Sequence, residues 1–359
     1  MAIEVWTTGI SHVAVAPRAA ARAEAAGWDG MLVVDSQNLA GDPFVGLALA
    51  ARETSTLRLG TGVTNPATRH PAATAAAIAS VHVASGGRAV LGVGRGDSAL
   101  AHLGMAPAPL ADLERFVALT RAYLRSESVA FDELRAYERD GARSVDVLGL
   151  AGRPAESRLH WLPPASELAP VPVEMVATGP RALAVAARTA DRVLLAVGAD
   201  PERVAWAADV ARANGAASIG AFVNVVAHPD VDTARALGAG GLTTFARFSA
   251  MDGTVRTPMD DASRDVARRV HGAYDMRQHT RSGSPQAAQL TAEFVDRFGI
   301  VGPPDHCVAR LRELLALGID RVIVVGPSID ADRDAARTAV TAFVRDVLPA
   351  VKEVPTHAA

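Results

Sequence analysis

The chain has 359 residues and a formal net charge of −3, with 49% hydrophobic and 21% charged residues. Such a composition supplies a sizeable core and no basic excess to grip a nucleic-acid backbone. Of its 36 basic residues only Lys352 is a lysine, and Cys307 is the single cysteine, so a P-loop or Schiff-base lysine, an internal disulfide and a thiolate zinc cluster are excluded.

In chain order, short β-type runs alternate with Ala-rich helical runs. Ile3–Thr8 reads as a strand, followed by a helix over Pro17–Ala26 that Pro17 opens and Gly27 closes. Met31–Asp35, Leu57–Gly62 and Arg88–Val93 read as the next strands, each followed by a helix: Pro43–Glu53, Pro71 to about Ala84, and about Leu110 to Leu124. The rhythm breaks over the polar stretch 125–170 and resumes with strands at Val173–Ala177, Arg192–Val197 and Ile219–Val226, with helices from Pro180 and over Pro201–Asn214. Residues 230–300 are mostly helical and too long for one crossover. Pro304–Leu317 reads as a helix, Arg321–Val325 as an eighth strand and Asp332–Val351 as a closing helix. Eight strand–helix repeats predict an α/β fold, a (β/α)8 barrel in one domain with insertions after strands 4 and 7. No run approaches the 18 apolar residues of a membrane span, and the first residues lack a signal-peptide pattern. With one cysteine, the expectation is a cytoplasmic protein with neither membrane nor nucleic-acid partners.

Active sites of such barrels lie at the C-terminal strand ends. The second strand ends in Asp35-Ser36, where a carboxylate either contacts a ring or merely caps a turn. The third ends in Thr61-Gly62-Val63-Thr64-Asn65-Pro66, and Gly62 inside a β-run marks a bulge or a close approach to a ligand. After the fourth comes Gly92-Val93-Gly94-Arg95-Gly96-Asp97, a glycine-rich turn able to lie against a flat ring or a phosphate. Asp97 is the best acid, base or substrate-binding candidate there. After the fifth, Thr178-Gly179-Pro180-Arg181 opens a helix: an ordinary cap by Thr178, or an anion site helped by Arg181. His12 follows the first strand and is expected to project into the mouth, a further catalytic candidate beside Ser36. Tyr274 and His279 lie where 230–300 would fold as a lid, and either contact substrate or simply belong to a polar helix face. Cys307 reads as a small buried hydrophobe away from the strand ends. The ten histidines show no paired spacing for a metal.

Three blocks together resemble the luciferase-like superfamily, above all its branch of coenzyme F420-dependent oxidoreductases that includes the methylenetetrahydromethanopterin reductases. They are Leu59–Pro71 continued by Gly86–Asp97, Ala177–Pro180 with Ala190-Asp191-Arg192, and Phe298–Asp305 with Leu317–Asp320. The resemblance implies a (β/α)8 barrel, usually a homodimer, binding F420 or, alternatively, FMN at the strand ends. It places Asp35, Asn65 and Gly198 on the cofactor side and a phosphate at Thr178-Gly179. It also places a non-prolyl cis peptide at Gly62–Val63 and a catalytic carboxylate at Asp97. In the alcohol and sugar-phosphate dehydrogenases of that branch a histidine base follows the second-strand Asp; here Ser36 stands there. A hydroxyl is no substitute for an imidazole base, so reduction of a C=C, C=N or nitro acceptor is expected rather than alcohol oxidation.

Overall fold

The computed structural model describes residues 3–138 and 140–353. Its first half is four strand–helix units: β1 Glu4–Gly9, α1 Ala16–Ala25, β2 Gly30–Val33, α2 Pro43–Arg52, β3 Arg58–Thr61, α3 Pro71–Ala84, β4 Ala89–Val93, then a short α4 Ser98–Ala101 and α5 Leu110–Leu124. After an irregular insertion come β5 Val173–Ala177, α6 Pro180–Thr189, β6 Arg192–Leu195, α7 Pro201–Ala213 and β7 Ile219–Ala227. A second insertion holds α8 Val231–Ser249, α9 Asp261–Gly272 and α10 Ala292–Phe298. β8 Ile300–Gly302, α11 Pro304–Ala316, β9 Arg321–Val325, α12 Arg333–Ala342 and α13 Leu348–Lys352 complete the chain.

All strand pairs are parallel. The order β1-β2-β3-β4-β5-β6-β7-β9 closes through β9–β1 pairing, giving the expected eight-stranded barrel with covering helices. One strand was not expected. β8 pairs only with the protruding end of β7, Val225–Ala227, and stands outside the barrel. The closing helix is also not uniform: a π-helical turn at Phe343–Val347 separates α12 from α13, and Phe343 stacks on Trp28 at 5.1 Å. Cys307 is buried as expected, but beside strand ends rather than away from them. Its sulfur lies 3.5 Å from the Gly302 carbonyl and 3.8 Å from that of Val226, and burial pushes its thiol up to about 12, which makes it inert.

Residues on successive strand positions divide between two apolar clusters. Val5, Met31, Leu59, Leu91, Val193 and Val322 face the helices, while Trp6, Leu32, Val90, Leu194, Phe222 and Ile323 fill the barrel. This period of two on a doubly buried sheet explains why the strands read as continuous apolar runs. Trp6 fits because its cross-strand neighbour is Gly30, where a β-carbon would lie 2.4 Å from the indole. Below it, at the N-terminal end, the Arg321 guanidinium lies 4.9 Å from the Trp6 ring and 2.5 Å from the fully buried Glu174 carboxylate. Arg192 approaches Glu174 from the next strand at 3.4 Å. Removing one partner strands the other charge in the barrel. Glu174→Ala is expected to lower unfolding free energy by about 3–5 kcal/mol in chemical denaturation.

Glu24 of α1 fixes the turn into β3 by accepting backbone N–H bonds from Ser55, Thr56 and Leu57 at 2.6–2.9 Å. Burial pushes its carboxyl up, but these donors outweigh it and hold the group down at about 2, against an ordinary 4.5. A lowered folded value stabilises above the ordinary value, and the gain is lost as pH falls through the lowered one. Between those two values the wild type should therefore lose stability faster than Glu24→Gln, measured as melting temperature against pH.

Candidate active site

Four strand ends build the open side of the mouth. At the end of β3 the ladder breaks: the Gly62–Val63 peptide is cis, as the resemblance implied, and pairing resumes as a single bridge between Thr64 and Val93. β4 makes the break possible. A β-carbon at Gly92 would lie 2.2 Å from the Thr61 carbonyl oxygen, and one at Gly94 would lie 2.9 Å from Val63. The alternate glycines thus seat the bulge. Gly96, with φ +76°, then turns the chain toward Asp97.

The bulge carries Thr64 to Asp35. The Thr64 hydroxyl donates to one Asp35 oxygen at 2.6 Å and the Gln37 amide donates to the other at 2.7 Å. Asp35 is buried and caps no helix; Asp42 caps α2 instead. Burial pushes the Asp35 carboxyl up, opposed by the Thr64 bond and by Arg69. Asn65 uses its carbonyl to accept from the N–H groups of Ala67 and Thr68, leaving its amide nitrogen buried without a partner. The Ser36 hydroxyl is also buried and unpartnered, as is one oxygen of Asp97. Protein interiors rarely leave so many polar atoms unmet, and these flank one mouth.

The start of α6 departs from the simpler expectation. Thr178 does not cap it: its hydroxyl donates to the Ala196 carbonyl at 3.2 Å, Gly179 is the N-cap residue, and no side chain satisfies the first N–H groups. Pro180 is the first helical residue and Arg181 is exposed. Space beside Gly179 is open, with no atom within 4 Å of where a β-carbon would stand. Gly198, with φ +81°, is packed differently, because a β-carbon there would lie 2.6 Å from the Phe298 ring.

The second insertion forms a roof over the β7 side. Phe245 of α8 packs 6.0 Å from Phe222 inside the barrel. Gly241 lets the helix approach Asn224, whose amide nitrogen is another buried orphan. From this roof Arg247 reaches across to form an ion pair with Asp97, both side chains being largely buried. The same guanidinium lies 4.8 Å from the Tyr274 ring centroid. The Tyr274 hydroxyl lies 2.7 Å from Nδ1 of His279 and 3.4 Å from the Thr244 hydroxyl. The structure thus joins Asp97, Tyr274 and His279 in one cluster. It leaves His12 on an exposed loop, accepting from the Ala14 N–H. Arg247 was missed by the sequence reading. Its signal was a lone charge within the otherwise apolar and small run Gly238–Phe248. Among the described residues no group of three metal-ligating side chains occurs, and no helix is long and apolar enough to cross a membrane.

The model of the luciferase-like monooxygenase family matches residues 3–321. The chain belongs to that family. Within it, the chain is 28% identical over 342 residues to a 5,10-methylenetetrahydromethanopterin reductase of Methanolobus tindarius, covering 85% of this chain and 88% of that one. It is 26% identical over 348 residues to an F420-dependent glucose-6-phosphate dehydrogenase of Intrasporangium calvum, covering 92% of each. Among solved structures, the coenzyme F420-dependent tetrahydromethanopterin reductase of Methanopyrus kandleri superposes with a TM-score of 0.70 at 22% identity, over 97% of this chain and 99% of that one. The oxygenating constituent of 3,6-diketocamphane monooxygenase from a Pseudomonas putida plasmid, in complex with FMN, gives 0.63 at 15% identity, over 98% and 99%. Both share the barrel fold of this chain.

Among the described residues the Asp97–Arg247 pair is the one ionic tie between the β4 turn and the roof. A double-mutant cycle with Asp97→Ala and Arg247→Ala should give a coupling of about 1–3 kcal/mol in urea unfolding, far above that of an exposed pair.

Proposed function

We propose that the chain is an F420-dependent oxidoreductase that reduces a C=C, C=N or nitro group of a small organic substrate. The observation that carries the direction is Ser36, a buried and unpartnered hydroxyl beside Asp35 where alcohol oxidation would need an imidazole base. The residues present fit a flat, anionic cofactor. The bulge at Gly62–Val63 and the turn Gly94–Gly96 would face its ring, with Asp35 and the orphaned Asn65 amide at its edge. The uncapped start of α6 at Thr178-Gly179-Pro180, together with Arg181, would take its phosphate. When bound, such a cofactor supplies a hydride. The protein holds donor and acceptor in line, excludes water beneath α8 and places a proton source beside the acceptor.

A second reading replaces F420 with FMN in a two-component monooxygenase. Its support is the FMN-bound likeness on the same barrel, and the uncapped start of α6 would suit the phosphate of FMN equally. Titration of the purified protein with F420 and FMN side by side separates the two. Tighter binding of F420 supports the first. Binding of reduced FMN alone, with oxygen consumption and a hydroxylated product, supports the second. Asp97→Ala should lower turnover by roughly 100-fold. We further propose a homodimer in the cytoplasm, the former tested by light scattering.

A further inference from the structure

Reduction of a polar double bond needs a proton as well as a hydride. Asp97 is the obvious donor in the sequence, but its geometry suits another task. One of its oxygens is engaged by Arg247, and a carboxylate in such a pair accepts hydrogen bonds. The neighbouring phenol is differently placed. Tyr274 is half-buried under Arg247, and its hydroxyl touches His279 and Thr244. His279 makes no hydrogen bond through Nε2 among the described residues, and that atom is not one of the buried orphans, so water can reach it.

We infer that Tyr274 delivers the proton to the reduced substrate and that His279 resupplies it, with Arg247 and Asp97 as positioning residues. This rests on the reductase reading above. The acceptor double bond takes a hydride at one atom, and its π-electron pair moves to the other atom, which takes the Tyr274 hydroxyl proton. The phenolate then takes the Nδ1 proton of His279 while Nε2 takes one from water, whose hydroxide leaves to solvent. The pair ends neutral with its ring tautomer changed, and proton exchange with solvent restores the Nδ1 proton before the next turnover. Arg247 lies over the ring throughout and stabilises the transient phenolate. The charge states agree. Burial pushes the Tyr274 phenol up to about 12 and the His279 imidazole down to about 4, so both are neutral and proton-bearing at neutral pH. The titratable and charged groups facing them are Asp97, Arg247 and His102. Apart from those, the partners are Thr243 and Thr244, which carry no charge.

The test uses the full chain and two variants, Tyr274→Phe and His279→Ala. In the ligand-free protein, ultraviolet difference titration of wild type against Tyr274→Phe isolates this phenol among three tyrosines. A midpoint near 12 that moves in His279→Ala is expected; a midpoint near the ordinary 10, indifferent to His279→Ala, overturns the pair. F420 should bind wild type and Tyr274→Phe equally. Failure of F420 to bind wild type counts against the cofactor reading and leaves the ligand-free titration to decide the pair. With reduced F420 and 2-cyclohexenone or 4-nitrobenzoate as probes, Tyr274→Phe should lower kcat by roughly 100-fold or more, with KM within about threefold. The solvent deuterium isotope effect of the wild type should shrink in His279→Ala. Undiminished kcat in Tyr274→Phe overturns the inference. Where neither probe is turned over, the titration alone decides.

Discussion

The site depends on a steric exchange between two neighbouring strands. The Thr61 carbonyl occupies the space that a β-carbon would take at Gly92, and Val63 leans on Gly94. Side chains at Gly92 and Gly94 would collide with the bulge that leads to Thr64 and its bond to Asp35. The consequence spreads outward. Asp35 gains a partner in a buried position, Asn65 is turned so that only its carbonyl is satisfied, and the β4 turn carries Asp97 toward the roof. A backbone packing constraint thus decides where the polar atoms of the mouth stand.

Much of this was legible in the sequence because each signal was local. Pro43, Pro71, Pro180, Pro201 and Pro304 each mark the first residue of a helix, as the fixed proline φ favours. The apolar runs of the barrel strands are short and continuous because both faces are buried. Gly62 reads as a break because a strand has little other use for glycine. What escaped notice depends on distant partners. Ile300–Gly302 becomes a strand only because β7 overshoots the barrel and offers it an edge. Thr178 looks like a helix cap, yet the Ala196 carbonyl takes its hydroxyl. Arg247 sits mid-helix with no spacing that announces a role; its meaning comes from a carboxylate 150 residues earlier in the chain.

The roof shows how an insertion gains a share in a barrel site. Small residues let α8 settle closely: a β-carbon at Gly240 would strike the Thr280 carbonyl at 2.2 Å, and one at Gly241 would strike Asn224 at 2.4 Å. Close seating of this kind brings Arg247 over the mouth and sets Tyr274 beneath it. Barrel strands supply the fixed half of the constellation, with the inserted helix and the segment behind it supplying the other. Variation in that inserted stretch would alter the small molecule accommodated while leaving the strand ends untouched.

Lys352 has a practical consequence. Its ammonium donates to the Gly27 carbonyl and pairs with Asp29 at 2.7 Å, just before β2 begins and therefore at the end of the barrel opposite the mouth. It is the only side-chain amine in the chain. Coupling to a surface or a dye through lysine would attach the molecule at that one place, with the mouth facing outward and accessible to solution.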